Sequence, residues 1–279
     1  MELSKKQLKQ LKKIELDILI EFDRVCKILN LRYTLSSGTL LGAVRHRGFI
    51  PWDDDIDVAM LRSDYEIFLE NAQNILRPSY QLQTYNTEDE YLSNFSKIRN
   101  TSTIFIEEGM ASLNIQNGIF IDLFPIDCLP QNTIIIKIRN FLIGVIQMIK
   151  VAYSKEIINK TNHRLKRIIK KCFYPLSNLI GPQKFNRLET KIRTISNKGD
   201  IYSKMTFADL CSVPFYKMKK KNFIPMKVYT DYTKIEFEGY MFECIADTDL
   251  YLKTIYGDYM KLPPLENRVP HHKVYDFQI

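Results

Sequence analysis

What this 279-residue chain has little of closes off several classes of protein. Its five cysteines (Cys26, Cys128, Cys172, Cys211, Cys244) are widely spaced, odd in number and free of any CxxC pair. Neither a disulfide framework nor a zinc cluster is built that way, so the thiols are expected in core or surface positions of a reducing compartment. No apolar run approaches the roughly 20 residues that a helix needs to cross a bilayer. The longest, Phe141 to Ile149, contains Gly144 and Gln147. The first residues interleave Lys, Glu and Asp with their apolar positions, which is not a signal-peptide layout, and a cytoplasmic protein is expected. Glycine and proline number only 10 and 11, and no repeat or low-complexity segment is visible. A balance of 45% hydrophobic and 26% charged residues excludes collagen-like, coiled-coil and disordered chains.

What is present is an ordinary globular balance with one local excess of charge. Lys and Arg number 40 against 32 acids, a net charge of +8. Ten of the basic residues and only one acid, Glu156, fall between Lys137 and Lys171. The rest of the chain, with 30 basic and 31 acidic residues, is close to neutral. Within the basic stretch, helical spacing puts Leu165, Ile168, Ile169, Cys172 and Phe173 on one face, opposite Arg164, Lys166, Arg167, Lys170 and Lys171. That pattern fits a helix lying on an anionic membrane surface, and equally a core-packed helix with a solvated outer face. No aromatic platform interleaves with the charges, so nucleic acid is not an expected partner.

The length suits one large domain or two small ones. The spacing of Leu8, Leu11, Ile14, Ile18, Phe22, Val25 and Leu29 predicts an amphipathic helix over 5–30. A short strand is expected at 33–35, a short helix over 40–45, a strand over 55–60, and a helix begun by a Ser63–Glu66 capping box. Further strands are expected near 80–84, 95–98 and 103–106. A hairpin is expected around Asn117-Gly118, with Asp122 on its second strand. From Pro125 the chain should leave the sheet, and 131–197 should be helical with breaks at Pro175 and Gly181-Pro182. β character returns over 235–244, and Asp247 should cap a last helix that Gly257 ends. The fold class is α+β: a mixed sheet flanked by helices over 1–130, a basic helical region over 131–230, and a segment over 231–279 packing back on the core.

Chemistry concentrates in SSGTLLGAVRHRGFIPWDDDIDVAM, residues 36–60. Strand alternation sends Asp55 and Asp57 to the same face, about 6.6 Å apart along the chain, while Ile56, Val58 and Met60 take the apolar side. Two like charges there need an offset, and Mg²⁺ with its hard oxygen ligands supplies one. Asp122 on a neighbouring strand is the natural third carboxylate of a one- or two-metal site for phosphoryl displacement. The Ser37-Gly38 turn before a helix lets backbone N–H groups approach a phosphate, and Arg45 and Arg47 can clamp another. Asp53 and Asp54 are assigned to shaping the loop. Trp52 either stacks on a base or faces a cationic ligand, or packs the loop against the core.

These residues resemble the LicD family, which includes bacterial phosphocholine transferases and is related to fukutin and fukutin-related protein. The similarity is carried by GTLLGAVRHRGFIPWDDDIDVAM with Asp64-Tyr65, Lys97-Ile98-Arg99, FIDLFPIDCLP at 120–130 and YGDYMKLPP at 256–264. It implies a nucleotidyltransferase-like sheet with Ser37-Gly38 as the turn and Asp55, Asp57 and Asp122 as both catalytic and metal-binding acids. The turn reads Ser-Ser-Gly-Thr where the superfamily more usually has Gly-Ser, so Ser37 and Thr39 both stay candidates for the phosphate contact. Tyr256, His271 and His272 join the expected substrate site. The implied reaction moves phosphocholine from CDP-choline to a sugar hydroxyl of a lipid-linked or oligosaccharide acceptor of teichoic acid or lipopolysaccharide type, with Mg²⁺ or Mn²⁺. Either Asp57 or Asp122 can take the hydroxyl proton. CDP-ribitol or CDP-glycerol as donor, a sugar-nucleotide glycosyltransferase and a silent membrane adaptor are the alternatives. The expected place is the inner face of the plasma membrane.

Overall fold

The computed structural model describes residues 2–197, 207–210 and 223–279. Helix α1 (Lys5–Leu29) opens on a Ser4–Gln7 capping box and ends at Asn30 in the left-handed region. Its inner stripe runs Leu11, Ile18, Leu19, Phe22, Val25 and Cys26, with Glu15 among them. A short strand β1 (Thr34–Leu35) leads to α2 (Ser37–His46) and then β2 (Asp57–Leu61). β2 passes straight into α3 (Arg62–Asn71), so Ser63 lies inside the first turn and no capping box forms. Arg62 makes a buried two-pronged bond to Asp127 instead, at 2.8 and 2.6 Å, and the helix starts two residues earlier than a Ser63 cap would place it.

Strands β3 (Tyr80–Gln83), β4 (Ser96–Asn100) and β5 (Ile104–Glu107) fall where alternation predicts. The expected 113–121 hairpin does not form, because no strand lies between Glu107 and Phe120. Gly118 serves close approach rather than a turn: a Cβ there would lie 2.0 Å from the Asn100 carbonyl oxygen. Strand β6 (Phe120–Cys128) is buried along its whole length and continues through Pro125, correcting the expected exit from the sheet. Asp122 N–H donates toward β2, so alternation aims position 125 at the opposite edge. There β4 pairing stops at Leu123 and strand β7 (Phe207–Leu210) begins at Ile126. The missing proline N–H falls in that gap.

The main sheet runs β1-β2-β6-β4-β3, with β7 beside β6 and β8 (Ile224–Pro225) beside β7. Among the described strands of this sheet only the β2–β6 pair is parallel, so the sheet is mixed. Two strands from within 131–230 thus join the same sheet as the N-terminal elements.

Four helices follow β6: α4 (Thr133–Val151), α5 (Lys155–Asn159), α6 (Arg164–Ile180) and α7 (Pro182–Thr194). Gly181-Pro182 separates α6 from α7 with proline at the first turn, as expected. Pro175 sits inside α6 without ending it. The five apolar residues grouped on one α6 face divide: Phe173 packs with Ile146, Ile149 and Phe185, whereas Leu165, Ile168 and Cys172 are exposed. None of the described helices is long and apolar enough to cross a membrane.

Strands β9 (Tyr232–Phe237) and β10 (Tyr240–Ile245) form a hairpin whose turn residues, Glu238 and Gly239, both have left-handed φ, 51° and 81°. Asp247 caps α8 (Thr248–Tyr256) by accepting from Leu250 N–H, and Gly257 follows at φ 72°. Strand β11 (Val274–Gln278) pairs with β5. Cys26, Cys128 and Cys244 are buried free thiols and Cys172 is exposed, while Cys211 lies outside the described residues.

Candidate active site

Sheet register builds the first half of the site. Asp57 stands opposite Asp122 across β2 and β6, and Asp122 stands opposite Lys97 across β6 and β4. Register partners share a face, so two acids and one ammonium form a row across three strands. Lys97 Nζ lies 3.0 Å from Asp122 Oδ1 and 3.5 Å from Glu107 Oε2. It also sits 3.2 Å from the centroid of the Phe120 ring, two residues before Asp122 on the same face.

Asp55 precedes the strand rather than belonging to it, yet it feels the row. Burial drives Asp57 well above the usual carboxylate range, and the charges of Asp55 and Asp122 push the same way. Asp55 itself is pushed up to about 7 by burial and by Asp53. Asp53 rises to about 6 by burial and by Asp54. Burial also raises Asp122, with Lys97 opposing. Glu15 reaches the cluster from α1; burial raises it far above its ordinary value, followed by the charge of Asp55. These acids cannot all ionise beside one another without cationic compensation.

Asp54 behaves differently, and its role is structural. Its carboxylate accepts the backbone N–H groups of His271 (2.8 Å) and His272 (3.1 Å). Burial alone would raise it, but the hydrogen bond and charge of His272 and these amides bring it below its ordinary value. His272 would be lowered by burial, yet Asp54, Glu107 and Asp55 hold it up to about 9. His271 Nδ1 lies 3.3 Å from Asp53 Oδ1. Ligand atoms of Asp53, Asp54, Asp55 and His271 fall within 4.8 Å of one another, a mixed oxygen and imidazole set. The acidic loop is also held from α1, where Lys12 Nζ donates to the carbonyls of Ile50 (3.0 Å) and Pro51 (3.1 Å).

The turn at 36–39 forms the second half. Ser37 has φ 46°, in the left-handed region that favours glycine. The Tyr251 hydroxyl on α8 holds it, 2.9 Å from Ser36 Oγ and accepting Ser37 N–H at 3.1 Å. The Ser37 amide is therefore already engaged by protein. Thr39 is buried, and its Oγ1 accepts Asp57 N–H at 2.8 Å, so this hydroxyl pins the acid strand instead of facing the open site. Gly38 lies against Asp53: a Cβ there would come within 2.6 Å of Asp53 Oδ2.

A cavity of about 420 Å³ opens beside this turn. It is lined by Gly38, Arg45, Trp52, Asp53, Tyr256 and His271, among others. Asp258, Tyr259 and Lys261, from the same YGDYMKLPP stretch as Tyr256, also line it. Arg45 donates to the Tyr259 carbonyl oxygen at 2.8 Å. Trp52 packs partly against the core, as one of its two expected roles has it, and also lines the cavity, with Arg268 5.4 Å over its ring. Arg47 does not join Arg45 there. It is the exposed, left-handed end of α2, and its carbonyl accepts Glu238 N–H. His272 is turned inward against Phe105 and Phe120, away from that cavity.

A mixed sheet thus gathers acids beside a cavity lined by basic and aromatic side chains. Residues 30–142 match the family model described as LicD/FKTN/FKRP, nucleotidyltransferase domain. The chain is 31% identical over 268 residues to the lipopolysaccharide cholinephosphotransferase LicD of Haemophilus influenzae, covering 92% of each protein. An uncharacterised protein of Rickettsia prowazekii is 46% identical over 68 residues, 24% of each chain. The chain belongs to the LicD family, and it is an enzyme of that type.

Proposed function

We propose that this enzyme transfers phosphocholine from CDP-choline to a sugar hydroxyl of a cell-surface glycan precursor and releases CMP. The carrying observation is the Asp57–Asp122–Lys97 row, with Asp55 electrostatically coupled to it, next to the aromatic and basic cavity. The Haemophilus relative, named for cholinephosphate transfer to lipopolysaccharide, supports the same payload and a glycan acceptor of that kind. The cavity chemistry agrees. Tyr256, Tyr259 and Asp258 offer π faces and a negative charge to a quaternary ammonium, while Arg45, Lys261 and His271 offer positive or donor groups to phosphates.

The buried acids fit a divalent cation: they are hard oxygen donors whose ionised forms are disfavoured by burial and by one another, and a dication would stabilise those forms. Asp55, Asp57 and Asp122 would hold Mg²⁺, with Asp53 and His271 in reach of Asp55. Bound there, the ion would supply charge neutralisation to the pyrophosphate. In the transfer, the acceptor oxygen bonds to the choline-bearing phosphorus, the bond from that phosphorus to the CMP oxygen breaks, and the hydroxyl proton passes to Asp57 or Asp122. Both are poised as bases by burial, and Lys97 keeps Asp122 ionised more readily than its neighbour.

Thermal protection by CDP-choline, CDP-ribitol and CDP-glycerol, each with and without Mg²⁺, tests the donor. CDP-choline with Mg²⁺ should protect most, with CMP release that EDTA stops and Mg²⁺ restores. Protection by a CDP-polyol alone, or full turnover by Asp55→Asn/Asp57→Asn, would overturn the reading.

A further inference from the structure

Helix α4 is turned the opposite way from a helix solvated on its outer side. Its inner face carries Arg139 and Lys150, each only 3% exposed. Lys150 Nζ donates to Asn186 Oδ1 at 2.6 Å and to Glu189 Oε2 at 2.9 Å on α7. Gln147 and Arg193 both donate to Glu189 Oε1 at 3.0 Å. The outer face carries Ile134, Ile135, Ile138, Phe141 and Leu142, which are 44 to 67% exposed. Their spacing places them together along one side of the helix. Ordinary burial preferences put such residues inside and the charges outside.

The adjoining helix repeats the pattern. Leu165, Ile168, Leu176 and Leu179 of α6 recur at helical spacing with exposed Cys172, and Leu179 reaches 83% exposure. Phe173 and Ile180 turn the other way, into the cluster shared with α4 and α7. Exposed Lys137, Arg164 and Lys171 flank the outward apolar stripes. Nine large apolar side chains on two packed helices are more than scattered surface residues explain.

We propose that the outer faces of α4 and α6 form a docking surface for an anionic lipid bilayer, on which both helices lie in the interface plane. Charge complementarity selects this occupant. Apart from the buried Arg139 and Lys150, the segment from Lys137 to Lys171 carries eight cations and one acid, so a second copy on the same face would set like charge against like charge. Burying the apolar stripes between acyl chains while Lys137, Arg164 and Lys171 meet lipid phosphates satisfies both features. This surface goes beyond the transfer chemistry and does not depend on Asp55, Asp57 or Asp122.

Co-sedimentation of the full chain with vesicles of phosphatidylglycerol and phosphatidylethanolamine tests it. Wild type should pellet with these vesicles, less so at high salt. Ile138→Asp with Phe141→Asp, and separately Lys137→Gln with Arg164→Gln and Lys171→Gln, should each weaken binding roughly tenfold or more. These side chains are exposed, so circular dichroism melts should match wild type, and CMP release from a soluble acceptor should be unchanged. Absence of pelleting, pelleting equal in wild type and both variants, or a wild-type dimer in sedimentation velocity that the apolar variant abolishes would overturn the proposal. Loss of CMP release in wild type with vesicle binding intact would count against the transfer reading alone.

Discussion

Lys97 and Asp122 face one another across β4 and β6, both buried, with Nζ 3.0 Å from Oδ1. One ammonium thus serves two acids, because Glu107 lies on its other side at 3.5 Å. Lys97→Met leaves the buried Asp122 without its cation and Glu107 with only His272 beside it, and should lower stability by roughly 3 kcal/mol. Asp122→Asn is asymmetric: Lys97 keeps Glu107, and one acid leaves a repulsive cluster. Its urea midpoint should hold or rise while turnover falls at least roughly hundredfold. Equal destabilisation of the two variants would contradict this division of roles.

Gly38 leaves no room for a side chain, since a Cβ would meet Asp53 Oδ2 at 2.6 Å. Gly38→Ala should displace the acidic loop at Asp53 and reduce turnover about tenfold or more, with a modest stability loss of about 1 kcal/mol. Kinetics indistinguishable from wild type would show that Asp53 can shift freely.

Tyr251 stabilises the left-handed Ser37 from a distance of more than 200 residues in sequence. Tyr251→Phe keeps the packing and removes the hydroxyl, leaving the Ser37 N–H and Ser36 Oγ without that partner. A loss of about 1–2 kcal/mol in chemical denaturation is expected, with a raised KM for the nucleotide donor. An unchanged KM would remove the turn from substrate positioning.

Glu189 predicts an acid limb. Burial alone would raise its pKa, but Lys150 and Arg193 hold it down to about 2 from an ordinary value of 4.5. A carboxyl lowered on folding contributes stability that is complete above about 4.5 and drains away as pH falls toward 2. Glu189→Gln should lose roughly 3 kcal/mol at neutral pH and show a flatter stability profile between pH 4.5 and 2. A mutant curve parallel to wild type across that window would exclude Glu189 as its source.

The local patterns were readable from the chain itself. The periodicity of α1, the alternation of β3 to β5 and the caps of α8 each follow from neighbouring residues. Asp55, Asp57 and Asp122 stand out because acids interrupt apolar strand positions. Glu15 carries the same signal in α1, an acid on the stripe of Leu11, Ile18 and Phe22. Other features depend on distant chain. Pro125 reads as a strand end until β4 and β7 are known to leave a gap beside it. Ser63 loses its cap because Arg62 finds Asp127, 65 residues away. Lys97 gains meaning only through the register that sets it opposite Asp122. The reversed polarity of α4 was hidden for the same reason, since its buried cations need α7 to be recognised as paired.

Strand β11 draws residues 271 and 272 across to Asp54, 217 and 218 positions earlier in the chain. During synthesis the acids at 53–57 therefore emerge long before the amides and imidazole that neutralise their neighbourhood. Until that far segment is threaded into place, water must solvate the charge. A chain cut short of residue 271 would keep its sheet strands β1 to β8 yet present an acidic loop held from α1 alone, with Asp54 stripped of the two amides it accepts.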